Sequence, residues 1–415
     1  MKHLIILGDG MSDYPVASLG GKTPLQYART PNMDRMAAEG RSGLLQTIPS
    51  GLAPGSEVAN ASILGYDMTR VYEGRGPLEA ASIGYEMQPG DMAMRCNILT
   101  LSPEGTIENH HGGHLTTEEG REIIETLQRE LGSDRVLFIP GIQYRHLLVI
   151  KGGNKHIVTA PPHDHPGEDW RSLLPAAAAA VEGDDAAATM TAAETAALLT
   201  DLIVRSQKII SGHPVAVRHK AEGRPAPVSI WPWSQGYRPA MRPIGEMYPD
   251  IRKGSVITAV DLIRGIGRYA GLRLIDVEGA TGMADTNYKG KCESALDALK
   301  DEDFVYLHVE AADEAGHDGN VALKVQTIEN LDRYIVGPVL DALARWDEPV
   351  AVALMPDHAT PVELRVHKGE PVPFTVWHRG IVSDSVEVYD EVSCAKGAFG
   401  TLRLNQFMDM FMNIR

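Results

Sequence analysis

The chain has 415 residues, enough for two or three domains and a large core without disulfides. Apolar residues make up 43% and charged residues 23%, which excludes a disordered chain, a collagen and a coiled coil. Lys plus Arg number 39 against 55 Asp plus Glu, a net charge of −16 that argues against a general nucleic-acid binder. It leaves an anionic small substrate open, because metals and arginines reverse the field inside one cleft.

Residues 3–8, HLIILG, form a short apolar run followed by Asp9-Gly10, the pattern of a buried parallel strand with a polar residue at its C-terminal end. Ligands bind at that end in open α/β sheets. Ser56 follows Gly55 in PGSEVAN (54–60), at the opening of an expected helix, where the glycine allows a tight turn that exposes the hydroxyl. Residues 93–101, 135–139 and 145–150 read as strands and 116–131 as a helix opened by TTEE, together a smaller α+β unit. The stretch 174–194 is alanine-rich around Gly183-Asp184-Asp185 and is assigned no chemistry. Residues 192–211 read as a helix, and the Pro- and base-rich 214–227 as a return linker.

Three further runs repeat the strand-then-polar pattern. Phe304–Val309 leads to Glu310 and Asp313, 350–355 to Asp357 and His358, and 372–376 follows His367. The amphipathic stretch 321–345 lies between the first two. Strands alternating with helices imply an α/β fold with a mostly parallel sheet flanked by helices, plus an inserted α+β domain. The expected core is 1–88 with 226–415, and the insert is 89–225. The three cysteines form no C-x-x-C pair, which excludes a cysteine zinc site and suits a reducing compartment. Leu4 to Leu7 is too short for a signal sequence's apolar region, and no run approaches the roughly 18 residues of a spanning helix. The expected location is the cytoplasm, without membrane or nucleic-acid partners.

Seven residues at the strand ends are candidates for chemistry: Asp9, Ser56, Asp313, His317, Asp357, His358 and His367. Asp313 and His317 form a D-x-x-x-H spacing and Asp357-His358 an adjacent pair. Carboxylate oxygen and imidazole nitrogen suit Mn²⁺ or Zn²⁺. Lone histidines such as His308 and His378 read as structural.

In these residues the chain resembles the alkaline-phosphatase superfamily of metalloenzymes, and within it the archaeal-type cofactor-independent phosphoglycerate mutases. The resemblance runs from end to end in order: LGDGM (7–11), GGKTPLQYARTPNMDRMA (20–37), PGSEVANASILGYD (54–67), EGRGPLEAAS (73–82), MRCN (94–97), YRHLLV (144–149), PPHD (161–164), DTNYKGK (285–291), EAADEAGHDG (310–319), PDHATP (356–361) and HKGEPVPF (367–374). It implies an alkaline-phosphatase-like core and two divalent metal ions, most simply Mn²⁺, with Zn²⁺ or Mg²⁺ as alternatives. Asp313, His317 and His367 would hold one ion, and Asp9, Ser56, Asp357 and His358 the other. Ser56 would be the nucleophile that becomes phosphoserine. Arg95, Arg145 and His163 would bind the substrate's anionic groups, Asp164 would orient its hydroxyl, and Lys289 or Lys291 would reach the phosphoryl group, with Lys289 taken first. The implied activity interconverts 3-phosphoglycerate and 2-phosphoglycerate, a small phosphorylated substrate.

An alternative is an ATP-dependent kinase on the same scaffold, since IWPWSQG (230–236) and GIGRYA (265–270) also resemble a branch proposed to phosphorylate homoserine. A phosphatase is disfavoured because a hydrolase gains little from an insert that encloses the dephosphorylated alcohol. A non-catalytic interaction protein is the weakest reading, with all seven ligand positions intact.

Overall fold

A computed structural model describes residues 1–179 and 187–414; Gly183, Asp184 and Asp185 of the alanine-rich stretch lie outside the described residues. The chain divides into two compact units, Met1–Tyr72 with Ala240–Arg415, and Glu73–Pro239. The division falls at 72/73 and 239/240, not at 88/89 and 225/226. The reason is packing: the helix Arg75–Ser82 and the strand Ser229–Gly236 both lie against the strand Asp91–Leu101.

The first unit is built on one eight-stranded sheet. Its order is Arg273–Ile275, Gly254–Ile257, Phe304–Val309, Lys2–Gly8, Val350–Met355, Val372–Trp377, Arg41–Gln46 and Thr401–Arg403. All neighbours pair in parallel except Val372–Trp377, which runs against both of its own. The central strands are buried on both faces, which is why they read as unbroken apolar runs. On one face Leu4, Ile6, Val305, Leu307, Val352 and Leu354 pack against Met33, Met36, Leu299, Ile328, Leu331 and Leu340 from the covering helices. The 321–345 stretch is not one helix. Val321–Leu331 and Gly337–Leu343 are joined by a wider turn, Asp332–Val336, just before Pro338, which has no N–H to continue the ladder.

The second unit holds an antiparallel sheet in which Asp91–Leu101 lies between Arg145–Lys151 and Ser229–Gly236, with Val136–Ile142 and Ile107–Asn109 completing it. Strand alternation sorts its faces. Met92, Met94, Cys96 and Ile98 join the core under the helices Thr117–Leu131 and Ala192–Ser211, while Ala93 faces Ala80 of the helix Arg75–Ser82. Both long helices open with capping boxes, Thr116 with Glu119 and Thr191 with Glu194. The expected return linker contains a further helix, Pro214–Ala221. His213 caps it by accepting from Val215 N–H, and Pro214 occupies its first turn, where a missing N–H costs nothing. Among the described residues no helix is long and apolar enough to cross a membrane.

Candidate active site

Four chain segments of the first unit leave the sheet at one edge. Asp9 follows Lys2–Gly8, Asp357-His358 follows Val350–Met355, and Asp313 and His317 lie on Ala311–His317 after Phe304–Val309. His367 precedes the antiparallel strand Val372–Trp377, so it reaches the same edge from the other direction. Ser56 is the first residue of the helix Ser56–Ile63, which follows the sheet strand Arg41–Gln46. Gly55 before it is extended, φ −165° and ψ 147°. Any residue adopts that backbone, so the tight turn expected there is absent.

The seven residues lie together. Ser56 Oγ is 3.1 Å from His358 Nε2. The same nitrogen is 3.4 Å from Asp357 Oδ2 and 3.6 Å from Asp9 Oδ1. Asp357 is held by Gly10 N–H and His358 N–H on Oδ1, at 3.1 and 2.8 Å, and by Asn60 Nδ2 on Oδ2 at 2.9 Å. Asn60 also donates to Ser56 O at 2.8 Å, which ties the serine's helix to the aspartate. Beside this group, Asp313 Oδ2 is 3.3 Å from His317 Nε2 and its Oδ1 is 3.4 Å from His367 Nε2. The two histidine Nε2 atoms are 2.8 Å apart. His317 donates Nδ1–H to Arg365 O at 2.9 Å, which leaves Nε2 turned to the cluster. The rings of His358 and His367 stack with centroids 4.0 Å apart, so His358 stands at the junction of the two groups.

Two residues join the site that the sequence reading passed over. His308 was read as structural, yet its Nε2 lies 3.0 Å from Asp9 Oδ2 and its Nδ1 3.2 Å from Thr258 Oγ1. Thr360 lies between Asp313 and His358. Of the two lysines, Lys289 is exposed, with its ammonium over the Tyr334 ring at 5.4 Å. Lys291 is buried and donates to His308 O at 3.0 Å, so Lys291 and not Lys289 is the lysine brought to this neighbourhood.

The electrostatics of the first unit's cluster suit a bound cation. Burial, and then the charges of Asp357, Asp313 and Glu310, push the Asp9 carboxyl well above the usual range. Asp9 Oδ1 is buried and has no hydrogen-bond partner among the described residues. Burial lowers His358, which keeps it neutral and able to ligate. Burial opposes ionisation of Asp313, but hydrogen bonds from His317 and His367 outweigh it and hold that carboxyl well below the ordinary range. The Asp313 hydrogen bond in turn raises His317 to about 9. Potential ligand atoms of Asp313, His358 and His367, and of Asp9, His308 and Asp357, each lie within 4.8 Å of one another. Oxygen and imidazole donors with an orphaned buried carboxylate oxygen fit divalent cations.

The second unit gathers the residues expected to bind anions. Arg95 is buried, 3.0 Å from Glu79 Oε1, with its guanidinium over the Trp233 ring at 4.7 Å. His163 packs on the same ring at 5.2 Å and lies 3.6 Å from Asp164 Oδ1. Asn97 fixes this face by accepting from Trp233 Nε1 at 3.0 Å and donating to His110 O at 3.0 Å. Arg145 lies opposite Asn97 on the neighbouring strand. Burial, then Arg75 and Arg145, lower the Arg95 guanidinium despite Glu79. Cations crowded in this way favour an anionic ligand.

The family described as 2,3-bisphosphoglycerate-independent phosphoglycerate mutase matches residues 37–216. The chain is 44% identical over 417 residues to the protein of that name from Methanosarcina barkeri, covering 100% of both chains. Among solved structures, a Pyrococcus horikoshii protein superposes with a TM-score of 0.81 at 29% identity, over 99% of this chain and 96% of that one. The cofactor-independent phosphoglycerate mutase from Thermoplasma acidophilum gives a TM-score of 0.67 at 26% identity over 99% of each chain.

Proposed function

Since this chain belongs to the 2,3-bisphosphoglycerate-independent phosphoglycerate mutase family, a family of isomerases, we propose that it interconverts 3-phosphoglycerate and 2-phosphoglycerate through a phosphoserine at Ser56. The observation that carries this reading is the Ser56 hydroxyl, 3.1 Å from His358 Nε2 at the edge of a buried acid and imidazole cluster. A serine hydroxyl is a poor nucleophile at neutral pH and needs such a setting.

Asp313, His317 and His367 would hold one divalent cation, and Asp9, Ser56, Asp357 and His358 the second. When bound, the ions lower the pKa of the serine hydroxyl and offset charge on the phosphoryl oxygens. The remaining work falls to the chain. Ser56 Oγ gives up its proton and attacks the phosphorus of 3-phosphoglycerate, and the bond from phosphorus to the C3 oxygen breaks as that oxygen takes up a proton. The glycerate C2 hydroxyl then attacks the phosphoserine, gives up its proton and restores Ser56. Asn60 and Gly10 N–H keep the Asp357 carboxylate turned toward the serine. Arg95, Arg145 and His163 are assigned the carboxylate and phosphate of the substrate, and Asp164 the proton traffic of its hydroxyls. Mn²⁺ is the ion we expect to support the reaction best.

The test is mass spectrometry of protein quenched during turnover with 3-phosphoglycerate alone. One added phosphate is expected on the peptide containing Ser56, and Ser56→Ala should lose essentially all activity, more than the ~10²–10³-fold of a lost charge-stabilising contact. Label on another residue would overturn the assignment. Turnover only with homoserine and ATP would replace the mutase reading with the kinase one.

A further inference from the structure

The hydroxyl of Thr360 stands between the two donor groups, and the reaction as described makes no use of it. The residue is fully buried. Its Oγ1 hydrogen-bonds Asp313 Oδ1 and lies 3.2 Å from His358 Nδ1. A threonine hydroxyl has one proton to give and two lone pairs that accept. Asp313, as an ionised ligand, has no proton to give, so the hydroxyl proton goes to Oδ1. What remains for His358 is a lone pair. The contact at Nδ1 is then a hydrogen bond only if Nδ1 carries the imidazole proton. A neutral imidazole protonated at Nδ1 has its own lone pair at Nε2, the atom that faces Ser56 Oγ at 3.1 Å, Asp357 Oδ2 at 3.4 Å and Asp9 Oδ1 at 3.6 Å, the donor set that a cation would share with it.

We propose that Thr360 is the positioning residue that couples the two donor groups, giving its proton to Asp313 and fixing His358 in the tautomer whose Nε2 is free to ligate. The inference rests on the metal reading above. It adds that the two groups are not independent, because one hydroxyl orients a ligand in each.

The backbone around Thr360 is built to hold that hydroxyl still. Thr360 N–H donates to Ser12 O at 3.2 Å. Thr360 O accepts from the wholly buried Lys324 Nζ at 2.8 Å, and the same ammonium donates to Ser12 O at 3.2 Å and Asp13 Oδ2 at 2.7 Å. That carbonyl also packs on Gly316, where a Cβ would come within 2.5 Å of it. Gly316 belongs to the helix that carries Asp313 and His317. The segments bearing Asp9, Asp313 and His358 therefore all meet at Thr360 or at the ammonium beneath it. Valine is close to threonine in shape but has no hydroxyl, whereas serine keeps the hydroxyl and loses the methyl.

The experiment uses the full chain labelled with ¹⁵N-histidine and stripped of metal. Long-range ¹H–¹⁵N spectra report the tautomer, with the His358 signals assigned by His358→Gln. The proton is expected on Nδ1 in the wild type and in Thr360→Ser, and to move toward Nε2 in Thr360→Val. In a competition titration with Mn²⁺ alone, Thr360→Val should bind roughly 10–100-fold more weakly and Thr360→Ser near the wild-type value, the range expected when an outer hydrogen bond to a ligand is lost. Wild-type His358 carrying its proton on Nε2, or Thr360→Val binding Mn²⁺ as tightly as the wild type, would overturn the proposal. Should Thr360→Val fail to fold, the wild-type and Thr360→Ser spectra decide alone. None of these readouts depends on turnover, so they are separate from the phosphoserine test.

Discussion

Gly10→Ala is a small change with a large expected effect. Gly10 follows Asp9 at φ +63°, and a Cβ placed there would lie 2.7 Å from both Asp313 Cα and Asp313 Oδ1. Carbon atoms in contact prefer about 3.5–4.0 Å, so the segments are short of space by about 1 Å. The conflict involves backbone, so a rotamer change cannot relieve it. Either the loop with Asp9 or the helix with Asp313 and His317 must move, and both carry site residues. A displacement of about 1 Å at a catalytic constellation costs ~10²-fold in rate. The left-handed backbone adds about 1–2 kcal/mol of strain for a residue with a Cβ. Gly20 separates the two effects, because it has φ +69° with nothing among the described residues within 4 Å of its Cβ position. Gly20→Ala should therefore cost stability and leave activity alone. The assay is formation of 2-phosphoglycerate coupled to enolase, with thermal melting in parallel. If Gly10→Ala kept kcat/KM within about threefold of the wild type while folded, the close approach of these segments would not govern the chemistry.

Other perturbations test the supporting structure. Lys324→Met leaves the buried Asp13 carboxylate without its cation and the Thr360 carbonyl without its donor, and should cost about 3–5 kcal/mol in thermal denaturation; adding Asp13→Asn should recover part of it, and a single variant that melts like the wild type would contradict the pairing. Burial pushes the Glu391 carboxyl up to about 7 from 4.5, so the folded state binds more protons than the unfolded one between those values and stability falls as pH rises through that window. Glu391→Gln should flatten that slope and raise the melting temperature near pH 8, and an unchanged pH profile would remove Glu391 from the account. Saturating divalent metal should raise the melting temperature of the stripped protein, by about 2.7 kcal/mol of stability at free metal 100-fold above Kd, and no response to Mn²⁺, Zn²⁺ or Mg²⁺ would leave the carboxylate cluster without its cation.

The elements legible in the sequence are those whose burial is uniform or whose ends are signed. Lys2–Gly8, Phe304–Val309 and Val350–Met355 are covered on both faces, so their apolar runs are unbroken. Ala192–Ser211 is opened by the Thr191–Glu194 capping box and shows an apolar stripe. Short edge strands carry neither mark. Arg273–Ile275 and Thr401–Arg403 have three residues each and include charged ones, because one side of each faces no neighbouring strand among the described residues. Pro214–Ala221 was hidden by its proline and basic residues, which resemble a linker until His213 is seen as the cap.

At the site, the polar residues that end buried strands stood out because burial makes them expensive, whereas those within an element had to be phased first. Lys289 and Lys291 are two residues apart on one helix, about 200° around its axis, so one faces inward when the other faces out. Spacing alone does not say which. The strand Phe304–Val309 poses the same question with a period of two. Val305 and Leu307 join the apolar core, so Tyr306 and His308 share the opposite face. There Tyr306 donates to Asn60 Oδ1, and His308 meets Asp9. Two hydrogen-bonding side chains at alternate positions of an otherwise apolar strand are a stronger signal than one histidine. That alternation assigns His308 to the face that orients Asp9, the role its isolation in the sequence obscured.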